Sequence, residues 1–238
     1  MIQRLAALLS GALALGTVWN AAAQGIVIDG DLTDWERVPV AIEDPKDMGD
    51  LNINGDYKEI KVASTETDFY ALQCVWGNDA LPADQFRYYY HILIDADNNV
   101  NTGITNDAYE GNPTGVQEVI GADFYIQIGW RAGAPDGIEV YHLPSGEMIF
   151  ADFPYADSGG CVELSVPFAA LEAPEAFDIG ELWKPGSVIK VAAFQEGNAE
   201  GWGPIDWTEP AEHVIGQALS VSPAGKLAVR WADLKAIR

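Results

Sequence analysis

Alternating apolar and polar positions are the dominant pattern in this chain. Residues 57–64 (YKEIKVAS) and 68–76 (DFYALQCVW) alternate on either side of a short polar turn, which is typical of two strands of a hairpin. Residues 86–95 (FRYYYHILID) and 122–129 (ADFYIQIG) predict two longer strands. Shorter alternating segments predict five more strands, at residues 137–142, 147–153, 161–166, 188–195 and 227–231.

Helical periodicity is rare along the chain. Residues 168–172 predict a single helical turn after Pro167, and residues 231–237 predict another at the C-terminal end. Many strands at short spacing, separated by glycine and proline, favour an all-β fold, an antiparallel β-sandwich of the jelly-roll-like kind. No linker, charge block or internal repeat divides the chain, so residues 24–238 are predicted to form one domain. The glycine-rich residues 197–210 (GNAEGWGPIDWTEP) predict a long loop.

The N-terminal residues have the pattern of a secretory signal peptide. A short positive start at residues 1–4 is followed by an apolar run at 5–18 and by three alanines at 21–23. The run is too short for a stable membrane anchor, and the small residues are those that signal peptidase prefers. We therefore expect cleavage after Ala23 and a secreted protein, extracellular or periplasmic.

The charge balance limits the classes of partner. The chain has 36 acidic and 13 basic residues, which gives a net charge of −23. Such a surface repels nucleic acid and anionic lipid, so neither nucleic-acid binding nor membrane insertion is expected. Bound divalent cations, a saline habitat and solubility alone are all compatible with this charge. Disorder is not indicated, because apolar residues make up 48% of the chain.

Two cysteines, Cys74 and Cys161, are the whole cysteine content. Cys74 lies on the apolar side of its predicted strand, whereas Cys161 lies on the side opposite to its own strand's apolar residues. An oxidising compartment would allow the two to pair. The pattern leaves the disulfide open.

The segment that follows the strand at 86–95 carries the clearest candidate chemistry. Asp95, Asp97 and Asn99 place three side-chain oxygens two residues apart, and calcium binds six to eight oxygens. An EF-hand is excluded, since Val100 stands where its glycine would be and Asn106 where its glutamate would be. The alternative is a polar turn, in which aspartate and asparagine bond to their own backbone. The carboxylates would repel one another without a cation.

Four segments together resemble a known group of domains. They are residues 28–35 (IDGDLTDW), the loop at 95–103 (DADNNVNTG), residues 121–123 (GAD) and residues 162–171 (VELSVPFAAL). In their order and spacing they resemble the family 9 carbohydrate-binding module-like, or DOMON-like, β-sandwich domains of secreted bacterial proteins. The resemblance extends over essentially the whole chain after the signal peptide.

This resemblance implies a jelly-roll-like sandwich, bound calcium in many members, and a ligand site on loops or on one sheet. Thr102 and Gly103 would shape the acidic loop, Asp29 and Asp34 would hold the N-terminal turn, and Trp35 would lie in the core. Carried over residue by residue, the calcium ligands would be Asp95, Asp97, Asn99 and Asp123.

The implied function is non-catalytic binding of a polysaccharide or cell-surface glycan. Carbohydrate recognition needs aromatic rings presented flat to a sugar, with polar neighbours for its hydroxyls. The candidates are Trp202, Trp207 and Trp183. The alternative for each is that the ring plugs one end of the sandwich.

Three other classes of function stand as alternatives. An extracellular structural or adhesion protein without a small-molecule ligand fits the same sequence. Haem-binding DOMON domains use methionine with histidine or lysine, but His91 is expected to be an ordinary strand residue and no Cys-x-x-Cys-His motif occurs. A glycan hydrolase is the third, although no Gly-x-Ser-x-Gly or His-Glu-x-x-His motif is present.

Overall fold

The computed structural model forms two antiparallel sheets that pack face to face, the β-sandwich that the alternation predicts. It describes residues 25–47, 54–77, 87–104, 120–131, 134–149, 152–171, 182–197 and 203–216. Neighbouring strands pair antiparallel throughout both sheets.

The smaller sheet has five strands in the order β1-β2-β3-β9-β8. Its strands are β1 (Val40–Glu43), β2 (Tyr57–Ser64), β3 (Asp68–Val75), β8 (Tyr155–Ser158) and β9 (Cys161–Pro167).

The larger sheet has seven strands in the order β11-β10-β4-β5-β6-β7, with β12 also paired to β10. Its strands are β4 (Arg87–Asp95), β5 (Phe124–Arg131), β6 (Ala134–His142), β7 (Glu147–Ile149), β10 (Val188–Gly197), β11 (Gly203–Trp207) and β12 (Ala211–Val214).

Helical structure in the described residues is limited to two short elements. A 3-10 helix spans Leu32–Arg37, and its N-cap Asp31 accepts a hydrogen bond from the Thr33 amide. The single turn predicted after Pro167 is α1 (Phe168–Leu171). Neither element is long and apolar enough to cross a membrane.

One prediction about the chain's course is wrong. Residues 197–210 were expected to form a long loop, but Gly203–Trp207 pairs with β10 as β11. Glycine and proline obscure the alternation of this strand in the sequence, and its register with β10 shifts between Gln195 and Glu196. The strand predicted at 227–231 and the turn at 231–237 lie outside the described residues.

The main core fills the space between the two sheets. Ile60 and Phe69 from the smaller sheet and Ile92 and Ile126 from the larger sheet are each 0% exposed and belong to one apolar cluster. A second cluster lies on the outer face of the smaller sheet, where Trp35 from the 3-10 helix covers it. The predicted core position of Trp35 is therefore confirmed.

A buried carboxylate on β9 fastens the N-terminal segment to the smaller sheet. Glu163 Oε1 accepts hydrogen bonds from the amides of Asp29 and Gly30 at 2.8 and 2.6 Å. Its Oε2 accepts one from Trp35 Nε1 at 2.8 Å. Asp29 and Asp34 hold the turn locally, as predicted, since each accepts a hydrogen bond from a nearby backbone amide.

The two cysteines form a disulfide. Cys74 on β3 and Cys161 on β9 are direct cross-strand partners, with Cα atoms 4.0 Å apart. The sequence left this pairing open because the two side chains differ in their relation to their own strands' apolar residues. Both cysteines face the cluster on the outer side of the smaller sheet.

Loss of this disulfide is expected to lower the free energy of unfolding by about 2–4 kcal/mol, because the bridge closes a long loop in the unfolded chain. The cysteines are 87 residues apart in sequence. The double variant Cys74→Ser with Cys161→Ser, compared with the oxidised wild type by urea unfolding, measures this effect. Equal midpoints would contradict the expectation.

His213 on β12 makes stability depend on pH. Its side chain is buried, with Nε2 2.8 Å from the Ser64 hydroxyl. Burial lowers the pKa of His213 from 6.5 to about 4. The unfolded chain therefore binds a proton at this histidine below about pH 6.5, whereas the folded protein binds it only below about pH 4. The contribution of His213 to stability is fully present above pH 6.5 and is lost as the pH falls toward 4.

Between pH 7 and pH 5, protonation of His213 in the unfolded chain is expected to lower the wild type's free energy of unfolding by about 2 kcal/mol. The variant His213→Gln is expected to lack this decrease. Urea unfolding of both proteins at both pH values measures it. Buried aspartates with raised pKa values act in the opposite direction, so the difference between the two proteins isolates the histidine. An identical pH dependence in both proteins would overturn the assignment.

Candidate metal site

Strand pairing brings three aspartates together at one end of the larger sheet. Asp95 ends β4, and Asp123 immediately precedes β5, whose first residue pairs with Ile94. Asp97 reaches back from the turn after β4. Carboxylate oxygens of the three residues lie within 4.8 Å of one another. The sequence prediction placed all three in one site, and the structure brings them together.

Two oxygens of this cluster are buried without a hydrogen-bond donor among the described residues. Asp95 Oδ1 accepts a hydrogen bond from the Asn99 amide at 3.0 Å, and Asp123 Oδ2 accepts one from the Ala96 amide at 2.9 Å. Asp95 Oδ2 and Asp123 Oδ1 are the two atoms left over. Both residues are 0% exposed. Buried carboxylate oxygens in proteins are normally paired with donors or bound to metal.

The electrostatics of the cluster favour a cation. The pKa of Asp95 is raised to about 6, chiefly by burial and also by the neighbouring Asp97. The hydrogen bond from the Asn99 amide acts in the opposite direction and lowers it. Burial raises the pKa of Asp123 to about 7, and the charges of Asp97 and Asp95 add to the effect although the Ala96 amide opposes it. Near neutral pH the three carboxylates repel one another, and a bound cation would remove that repulsion.

The loop itself is closely folded. The Thr102 hydroxyl lies 3.0 Å from each carboxylate oxygen of Asp97 and 2.8 Å from the Asn99 carbonyl. Gly121 has a φ of +76°, and a Cβ there would lie 2.7 Å from the same carbonyl. Gly103 also has a positive φ, and its Cβ would overlap the backbone around residue 122. Threonine and glycine are thus needed at these positions by the loop's own geometry.

Asn99 stands apart from the three aspartates. Its side chain is exposed, and Oδ1 accepts hydrogen bonds from both the backbone and side-chain nitrogens of Asn101 at 3.2 Å. This is the local bonding expected of a polar turn. The described contacts therefore place the predicted ligand atom of Asn99 in the turn, while Asp95, Asp97 and Asp123 face one another.

Sequence reasoning missed a second acidic cluster, formed by Asp44, Asp47 and Asp206. Burial and the nearby charge of Asp206 raise the pKa of Asp44 to about 8. The oxygens of Asp206 accept hydrogen bonds from the amides of Tyr57 and Trp207, both at 2.7 Å. Asp206 is far from Asp44 and Asp47 in sequence, and it reaches them because β11 of the larger sheet lies against the end of the smaller sheet, where the Tyr57 amide on β2 donates to Asp206.

The three candidate tryptophans have different positions. Trp183 is 5% exposed and packs in the main core against Phe168 and Phe124, with ring centroids 4.9 and 6.0 Å away. Its ring is therefore not presented to a ligand. Trp207 is half-buried on β11 and stacks on Phe194. Trp202 lies outside the described residues.

His91, the strand histidine considered for haem, is a packed residue. It is 1% exposed and stacks on Phe194 with ring centroids 4.0 Å apart. Its Nδ1 lies 3.3 Å from the Phe194 carbonyl, and its Nε2 lies 2.9 Å from Gln127 Oε1. Both ring nitrogens therefore have partners within the sheet.

Comparison with models of known protein families gives no match for this chain. Comparison with curated protein sequences gives none either.

Proposed function

We propose that this protein is a secreted, non-catalytic binding module whose loop between β4 and β5 holds a calcium ion. The observation that carries the proposal is the pair of buried carboxylate oxygens, Asp95 Oδ2 and Asp123 Oδ1, which lack a hydrogen-bond donor among the described residues. They lie beside Asp97 in a cluster of three carboxylates.

Calcium suits this donor set better than a softer metal. All three side chains offer oxygen, and no histidine or cysteine belongs to the cluster. Calcium also accepts backbone carbonyls and water in a flexible shell, so three carboxylates in a loop are a sufficient core for a site. The ion would supply charge neutralisation and loop rigidity.

Secretion is supported by two independent features. The signal-peptide pattern at residues 1–23 directs the chain out of the cytoplasm. The Cys74–Cys161 disulfide is the kind of bond that persists in oxidising compartments.

A carbohydrate is the ligand class that we propose for the module. The support is the resemblance to family 9 carbohydrate-binding module-like domains, together with Trp207, a half-buried aromatic residue on the larger sheet. A structural or adhesion role without a small ligand is the alternative, and it would use the same calcium loop.

Thermal unfolding of residues 24–238 in excess calcium and in excess chelator tests the calcium proposal. A ligand that binds only the folded protein raises its stability with concentration, so calcium should raise the melting temperature by several degrees. Asp97→Ala should abolish most of the rise. Asp157→Ala, which removes an exposed aspartate on β8, is the matched control and should retain it. Equal melting of the wild type in both solutions would refute the proposal.

A further inference from the structure

A single row of side chains crosses five strands on the outer face of the larger sheet. In strand order it consists of Trp207, Phe194, His91, Gln127 and Glu139, each the direct cross-strand partner of the next. Their sequence neighbours point into the main core, so this row lies on the side away from it. We call these five residues the cross-strand row.

The cross-strand row changes along its length from stacked rings to hydrogen-bonded polar groups. The Phe194 ring stacks between His91, at 4.0 Å, and Trp207, at 5.2 Å. On the other side of His91, Gln127 lies 2.9 Å from Nε2 and donates through its own Nε2 to Glu139 at 3.0 Å. Each planar group is thus held by its neighbours in one orientation.

Two tyrosines lie beside the polar end of the row. Tyr125 and Tyr141 are cross-strand partners on β5 and β6, with ring centroids 4.6 Å apart. The Tyr141 hydroxyl donates to the same Glu139 oxygen at 2.9 Å. Tyr125 also meets the edge of the His91 ring at 5.4 Å. We call Tyr125 and Tyr141 the tyrosine pair.

The two outer faces of the sandwich differ in how they meet solvent. The N-terminal segment with Trp35 covers the outer face of the smaller sheet and fills it with an apolar cluster. On the larger sheet, the tyrosine pair, Gln127, Glu139 and Trp207 are half-buried and reach the surface. Within the cross-strand row, His91 and Phe194 are buried at 1% and 0% exposure, so the groups that are both fixed by their neighbours and accessible are Trp207, Gln127, Glu139 and the tyrosine pair.

We propose that the exposed part of this face, formed by Trp207, Gln127, Glu139 and the tyrosine pair above the buried His91 and Phe194, is a binding surface for a neutral carbohydrate chain. Aromatic rings pack against the apolar face of a sugar ring, while carboxylate, amide and phenol groups bind its hydroxyls. Groups already held in position lose little conformational entropy on binding, which favours affinity. The inference rests on the proposed function as a binding module and assigns its ligand surface.

The charge of the surface determines which carbohydrates it accepts. Glu139 lies at the β6 end of the surface, and Glu196 pairs across strands with Tyr89 at its edge. Two arginines, Arg87 and its cross-strand partner Arg131, also lie at this edge, and Arg87 is paired with Asp136 at 3.1 Å and lies over the Tyr89 ring. Together with the overall charge of −23, Glu139 and Glu196 repel uronate and sulfated glycans. A neutral chain is therefore the ligand.

The extent of the surface favours an oligosaccharide over a single sugar. Tyr125 on β5 and Trp207 on β11 are separated by three strand spacings. At roughly 4.8 Å per spacing, their backbones lie about 14 Å apart. Such a span accommodates several sugar units of an extended chain.

Native affinity electrophoresis of residues 24–238 in excess calcium tests the inference. The probes are neutral polysaccharides (hydroxyethyl cellulose, xyloglucan, arabinoxylan, galactomannan, laminarin and dextran) and two anionic ones, polygalacturonate and alginate. At least one neutral polysaccharide should retard the wild type. Tyr141→Ala and Glu139→Gln should each weaken that retardation about tenfold. Tyr70→Ala, a half-buried tyrosine on the smaller sheet, is the matched control and should retain it.

Three results would overturn the inference: no retardation by any neutral polysaccharide, retardation by the anionic ones alone, or retardation that Tyr141→Ala and Glu139→Gln leave unchanged. Glu139→Gln preserves size, so it remains informative if Tyr141→Ala fails to fold. The calcium-dependent rise in melting temperature is measured on the same samples. A normal rise with failed retardation refutes the carbohydrate surface alone, whereas loss of the rise in the wild type refutes the calcium module.

Discussion

In excess chelator at pH 7, Asp95→Asn is expected to unfold at a higher temperature than the wild type, and in excess calcium the order is expected to reverse. Carboxylate oxygens of Asp95, Asp97 and Asp123 lie within 4.8 Å of one another, and Asp95 and Asp123 are fully buried. Without a cation, replacing one charge by an amide removes repulsion. The asparagine retains Oδ1, which accepts from the Asn99 amide, and its new nitrogen takes the place of the oxygen that lacks a donor.

The expected magnitudes make the reversal measurable. In chelator the variant should gain about 1 kcal/mol in free energy of unfolding, the scale of one relieved like-charge contact. In calcium at a thousandfold excess over the wild-type Kd, the wild type should gain about 4 kcal/mol, and the variant should gain less by at least about 1.4 kcal/mol, because its binding is expected to be at least about tenfold weaker. Denaturant unfolding of both proteins in both solutions gives the four values. A variant that is destabilised equally in both would show that Asp95 acts only through the local fold.

Glu163→Ala is expected to lower the free energy of unfolding by about 3–5 kcal/mol, the cost typical of removing one partner from a buried charged network. Glu163 is 0% exposed and accepts three hydrogen bonds that fasten the N-terminal segment. The alanine leaves the amides of Asp29 and Gly30 and the Trp35 indole without their acceptor. Each buried donor left unpaired adds to the loss.

Urea unfolding of Glu163→Ala beside Glu212→Ala checks this expectation. Glu212 is an exposed glutamate on β12, and its removal should change stability by less than about 0.5 kcal/mol. The total tryptophan fluorescence should also shift toward that of an exposed indole in Glu163→Ala, because the N-terminal segment loosens and Trp35 becomes exposed. A loss as small as that of the control would mean that the segment is held by apolar packing alone.

Much of the fold follows from local pattern. Strands β2, β4 and β5 have one face in the main core, so their apolar residues alternate and the sequence predicts them within two residues at either end. Strands β1, β8 and β12 are four residues long, too short for alternation to distinguish them from loops. β1 and β12 also pair with strands more than ten residues away in sequence, whereas β8 pairs with β9 across a two-residue turn.

The candidate metal site could be predicted from the sequence where its residues lie close together along the chain. Asp95 and Asp97 lie two residues apart after a clear strand, and the family resemblance added Asp123. The second acidic cluster joins Asp44 to Asp206 across the whole chain, so no local signal marks it. Likewise the sequence analysis named Trp207 as a ligand residue, but it could not predict the other four members of the cross-strand row, because these are brought together only by strand register.

The loop between β4 and β5 and the proposed carbohydrate surface share one apolar cluster. Leu93, Ile120 and Ala122 pack there with Tyr125 and Leu143. The Leu143 amide also donates to the Asp123 carbonyl at 2.8 Å. An ion that fixes Asp123 would therefore restrain the cluster on which Tyr125 rests. Carbohydrate retardation should accordingly be weaker in chelator than in calcium.

Calorimetric titration of calcium chloride into the wild type, Asp95→Asn and Asp44→Asn decides whether the loop between β4 and β5 is the calcium site. Asp44→Asn alters the second acidic cluster and leaves the loop intact. We predict saturable binding in the wild type and in Asp44→Asn, and binding at least about tenfold weaker in Asp95→Asn, a difference of about 1.4 kcal/mol. Unchanged binding in Asp95→Asn, or no saturable binding in the wild type, would contradict a calcium-binding loop.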